Sequence, residues 1–232
     1  MKRLKFTTVL LTLAFVCFSC EREAIDFDFN SPQEIQKVNQ TLRDNNDLIE
    51  HFGEEYIHFG PVPPSLEGIS FKVTGMDFEF CERYIFGPTP DDPPILSHAD
   101  PPTYEASINH HHFFDHTQGL SKHRLMTYGT HGDIYTKEND TIYVIGSGND
   151  FTAYYIEKTD EEGSGNPTNA ILISGTLVYD QNGNFIGVEH YRIGKKILDY
   201  EYHPTINAYA KGTLEIKRHD EFSPRYEWDT IQ

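Results

Sequence analysis

The residues best equipped for chemistry are His110, His111 and His112, with His116 four positions beyond the last of them. Neutral imidazole is the commonest metal ligand, and zinc takes three or four N, S or O donors at about 2.0–2.3 Å. Alternate side chains of a strand share a face, which puts His110, His112 and His116 on one side. His110 and His112 would lie about 7 Å apart at Cα, a workable separation for two ligands. Six residues of strand span about 20 Å, so His116 reaches the same ion only where the strand bends or ends. His123 or His131 would complete such a zinc-type site. The plainer reading stands beside it. Twelve histidines are spread over the 232 residues, and three in a row on a strand also fit packed or surface imidazoles.

Other chemistries find less. The chain has no Gly-x-Ser-x-Gly elbow and no His-Glu-x-x-His, and Gly146-Ser147-Gly148 precedes a strand pattern instead of the helix a phosphate loop needs. Asp91/Asp92 and Asp160/Glu161/Glu162 fall in turn-rich stretches where solvated carboxylates are the default. No catalytic residue is expected, and the reading is of a protein that is not an enzyme. Acids outnumber bases 36 to 19, a net charge of −17, which repels phosphate backbones and argues against a nucleic-acid partner. Seven strand tyrosines (Tyr143, Tyr154, Tyr155, Tyr179, Tyr191, Tyr200 and Tyr202) could line a ligand cavity or form cross-strand core pairs.

These residues need elements to hold them, and the pattern is β throughout. Ala170–Tyr179 and Phe185–Ile193 alternate apolar and polar around Gln181-Asn182-Gly183-Asn184, a strong hairpin signal. Further strands are expected at Ile69–Val73, at Met76–Cys81 after a turn at Gly75, at Tyr104–Phe114 and at Arg124–Tyr128. Asp133–Thr136 and Thr141–Ile145 read as two strands around Glu138-Asn139-Asp140. Phe151–Lys158, Lys196–Tyr202 and Ala208–Lys217 follow. Mostly hairpin-length connections favour an up-and-down meander that closes into a barrel of about eight to ten strands. The stretch 87–103 holds six of the thirteen prolines and must be a long surface loop. Ser31-Pro32-Gln33-Glu34 opens a helix expected over 32–52, with Gly53 closing it.

The start of the chain reads as an export signal. Met1–Lys5 is basic, Val9–Phe18 is apolar, and the run is too short to span a bilayer. Cys17-Phe18-Ser19-Cys20, followed by Glu21-Arg22-Glu23, resembles the lipobox of bacterial lipoproteins, although Cys17 and Phe18 depart from its usual residues. The resemblance implies lipidation of Cys20, an outer-membrane or surface location, and the membrane as a partner through the anchor. More than one acyl chain makes a stable anchor. Cys81 is then the one remaining thiol of the mature chain, expected on a strand as a small hydrophobe.

Tyr143–Thr152 and Ala170–Gly175 together are similar to poorly characterised lipoproteins with a calycin-like (lipocalin-like) barrel, a likeness covering about 66–218. The lipocalin Gly-x-Trp signature is absent, and the single tryptophan is Trp228. The likeness implies architecture and no catalytic residue. The chain divides into a signal peptide at 1–19, an anchor, tether and helix at 20–65, and a β domain at 66–232. Three functions follow as expectations: a non-enzymatic envelope protein binding a small ligand or protein, a metal-binding lipoprotein using His110, His112 and His116, or a structural or adhesive surface subunit.

Overall fold

The computed structural model describes residues 44–58, 60, 62–87, 89, 91–97, 102–117, 119–129, 134–158, 167–199 and 210–228. The leader, Cys20 and the first part of the expected helix lie outside them, as do His131, Tyr200 and Tyr202. The described chain begins with helix α1 (Asn46–Phe52). The strands are β1 (Ser70–Glu82), β2 (Tyr84–Ile85), β3 (Ile95–Leu96), β4 (Tyr104–Thr117), β5 (Leu120–Tyr128), β6 (Ile134–Ser147), β7 (Asp150–Lys158), β8 (Thr168–Tyr179), β9 (Phe185–Asp199), β10 (Leu214–His219) and β11 (Ser223–Pro224).

The strands run antiparallel in the order β10-β1-β4-β5-β6-β7-β8-β9-β11, and β10 pairs with β9 as well as β1. Those two pairings of β10 close the sheet into a ring of eight strands, with β11 as a short addition on β9. Closure removes the exposed edges that an open sheet leaves. The hairpin between β8 and β9 forms at the expected place. Gly183 takes φ 82°, and the Asp180 carboxylate accepts the backbone N–H groups of Asn182 and Asn184, each at 2.8 Å.

Three expected breaks are absent. Gly75 is not a turn but a bulge inside β1, with φ 76° at the point where the pairing with β4 shifts register. A Cβ there would displace the Tyr104 hydroxyl, and the positive φ itself favours glycine. Glu138-Asn139-Asp140 does not turn either, because Asn139 and Glu138 pair with His123 and Arg124 of β5 and β6 continues through them. Likewise β9 runs unbroken through Gly194. The expected loop 87–103 is not wholly irregular: β3 within it pairs back with β2, just before it, in a small two-stranded ribbon.

Two apolar layers hold the ring. Inside, Phe71, Phe113, Phe151, Tyr155, Tyr191, Ile142, Val144, Ile173 and Val188 form one cluster. Each side chain of that size, fully buried, contributes about 1.5–3 kcal/mol. Outside, Leu48, Ile49 and Phe52 of α1 pack on Tyr143, Tyr154, Leu172, Leu214 and Ile216. Gly53 closes α1 with φ 88°, its N–H donating to the Ile49 carbonyl. Lys196 of β9 pins the helix start through Asp47 at 2.6 Å. β11 and residues 225–228 lie over β1 and β4, the Tyr226 N–H donating to the Ser70 carbonyl at 2.9 Å and Tyr226 and Trp228 stacking on His110 and His112. No helix among the described residues is long and apolar enough to cross a membrane.

Candidate ligand-binding site

The ring has two unlike ends. At one, β4 and β5, β6 and β7, and β8 and β9 meet across connections of two to five residues. At the other stand the starts of β4, β6, β8 and β10, each separated from the preceding long strand by a stretch of five or more residues. The aromatic cluster fills the tight-turn end. Toward the long-connection end the interior opens into a cavity of about 190 Å³.

Its floor is apolar: Leu125, Ile171, Ile193 and the rings of Tyr155 and Tyr191. Its upper wall is charged. Glu105 comes from the start of β4, Lys137 from β6, Glu157 from the end of β7, Lys195 from β9, and Glu215 and Lys217 from β10. Arg83, between β1 and β2, stands beside Glu215 at the rim.

Most of these charges are spent on one another. Lys137 and Glu157 pair at 3.2 Å, and Glu157 also accepts from Asn169 Nδ2 at 3.1 Å. Lys217 pairs with Glu105 and, at 3.2 Å, with Glu215. Arg83 reaches Glu215 at 2.7 Å. Burial pushes the Glu215 carboxyl up, but Lys217 and Arg83 outweigh it and hold it below the usual range. Burial lowers Lys217, and Glu215 and Glu105 more than restore it.

Lys195 differs. It is flanked by Ile171 on β8 and Glu215 on β10, and among the described residues no carboxylate is in ion-pair contact with its ammonium. It lies deep among protein atoms while keeping access to solvent through the cavity. Burial lowers its pKa, against the opposing pull of Glu157.

The histidine run is split by the pleat. His111 points inward, and the expected trio faces elsewhere. His110 stacks on Tyr226 at 3.9 Å between ring centres, and burial lowers its pKa to about 4. His112 Nδ1 meets Ser70 Oγ at 2.5 Å, and its ring lies against Phe114 and Trp228. His116, near the end of β4, donates its backbone N–H to Glu67. Among the described residues, no group of three or more His, Cys, Asp or Glu side chains is disposed to hold a metal ion. The expected zinc-type trio is therefore not assembled among the described residues: His110 and His112 are packed under the C-terminal aromatics, and His116 touches Glu67 through its backbone alone, its Nδ1 buried without a hydrogen-bond partner. Cys81 is partly exposed on β1, with burial raising its thiol pKa.

Of the tyrosines, Tyr155 and Tyr191 line the cavity. Tyr143 and Tyr154 face outward beneath α1, and Tyr179 is exposed. Sequence reasoning missed Lys137, Lys195, Glu215 and Lys217. A signal existed in the alternation Leu214-Glu215-Ile216-Lys217, but its faces are inverted: the aliphatic residues point out under the helix and the charged ones point in. No family model, curated protein or solved structure matches the chain.

Proposed function

We propose that this chain is a non-enzymatic, lipid-anchored envelope protein that takes a small ligand into a calycin-like barrel. The observation that carries the binding role is the half-apolar, half-charged cavity of about 190 Å³ at the long-connection end of the closed ring. An apolar pocket with a few convergent polar groups is the usual form of a small-molecule site. The anchor rests on the resemblance of Cys17–Cys20 to a lipobox behind an apolar leader. Mass spectrometry of the N-terminal peptide from membrane-extracted protein tests it; an unmodified Cys20 overturns the anchor.

The binding role is tested by thermal shift with neutral, cationic and anionic compounds of up to about 12 heavy atoms. At least one class should raise the Tm of the wild type and fail to do so with Ile193→Trp, which fills the cavity. Uniform silence, or shifts that survive the filling, overturns it.

A further inference from the structure

Among the described residues, the charges around the cavity do not balance. Four cations (Arg83, Lys137, Lys195 and Lys217) face three carboxylates (Glu105, Glu157 and Glu215). The pairs Lys137–Glu157, Lys217–Glu105 and Arg83–Glu215 use every carboxylate. Lys195 is left over. In a chain with 36 acids and 19 bases, an excess positive charge held inside the ring runs against the composition of the whole.

Resting on the cavity reading above, we propose that the ring binds a small organic monoanion of about benzoate size, with its carboxylate on Lys195 and its apolar body on the floor formed by Leu125, Ile171, Ile193, Tyr155 and Tyr191. Size follows from the volume. An apolar cavity of about 150 Å³ holds benzene, so 190 Å³ holds a ring plus one carboxylate. Charge follows from the surplus of one among the described residues. Glu157 and Glu215 stand near enough to Lys195 to influence its ionisation, so a second negative charge on the ligand would meet repulsion. Orientation follows from the division of the wall, charged toward the long connections and apolar toward the aromatic cluster. A charge-assisted hydrogen bond is stronger than a neutral one and strengthens further away from bulk water.

The test is calorimetry on the whole mature protein with benzoate, benzyl alcohol and benzylamine, repeated on Lys195→Met. Benzoate should bind the wild type at least about tenfold more tightly than either analogue, and Lys195→Met should lose about 10–100-fold for benzoate while leaving benzyl alcohol unchanged. Equal binding of benzyl alcohol and benzoate, with no effect of Lys195→Met, overturns the anion and leaves the cavity reading standing. Failure of all three probes overturns the proposal, and the wider compound panel then decides on the cavity. If Lys195→Met does not fold, ¹⁵N-lysine NMR of the wild type reads the same contact. One ammonium resonance should shift with benzoate and stay still with benzyl alcohol; no shift overturns the proposal.

Discussion

His111 Nδ1 lies 3.1 Å from His123 Nε2 inside the ring, and the Tyr191 hydroxyl lies 3.1 Å from His111 Nε2. The pair forms the boundary between the aromatic cluster and the cavity. Phe71 stacks on His111 at 4.9 Å and Phe113 on His123 at 4.6 Å. Both imidazoles are fully buried, and His123 Nδ1 has no hydrogen-bond partner among the described residues.

That arrangement makes the fold sensitive to acid. Burial holds His123 at about 3 and His111 well below its usual value. Between those values and the ordinary histidine pKa of about 6.5, the unfolded chain binds protons that the folded one refuses. Stability is therefore intact above about pH 6.5 and falls as pH drops, by at most about 1.4 kcal/mol per unit for each of the two. Urea unfolding between pH 7.5 and 5 should show this slope. His123→Leu, which puts an apolar side chain beside Phe113 and Tyr155, should flatten it by one histidine's share.

Lys217 serves two carboxylates, Glu105 and Glu215. Removing one member of a fully buried ion pair costs about 3–5 kcal/mol. Water reaches this cavity, so Lys217→Met should cost less, about 2–3 kcal/mol by chemical denaturation. Glu215→Gln in the same background should recover part of the loss.

Helix α1 docks where β9 offers no side chain. A Cβ on Gly194 would meet Phe52 at 2.8 Å and Leu48 at 3.1 Å. Gly194→Val should lift α1 from the ring, and limited proteolysis should then cut near 53–58 before the strands are attacked. Phe52→Ala, at a fully buried site, should lower stability by about 3–5 kcal/mol.

The ring is not equally sealed all round. Tyr143–Ser147 of β6 pair with Asp150–Tyr154 of β7, but 134–142 pair with β5 alone and 155–158 with β8 alone. Lys137 and Glu157 span that seam by side chains, at 3.2 Å. Hydrogen exchange should therefore be faster in 134–142 than in 143–147. Equal protection across β6 would show that the seam is closed in solution.

Legibility in the sequence follows the range of the forces involved. The β8–β9 hairpin is readable because Asp180, Asn182, Gly183 and Asn184 settle it locally. Meander connectivity is readable for the same reason. The unbroken length of β6 and β9 is not, because Glu138-Asn139-Asp140 and Gly194 carry turn-like residues whose extended state comes from β5 and α1. The cavity is hidden for a different cause. A polar-apolar alternation gives the two faces of β10 without saying which is inside, and α1 reverses the ordinary answer by covering Leu214 and Ile216 from without. His111 is hidden likewise, since its neighbours His110 and His112 draw attention to the opposite face.

The aromatic plug at the tight-turn end makes the chamber a cul-de-sac. If the proposed ligand occupies it, one mouth serves for both entry and exit, and no second molecule can push it through from behind.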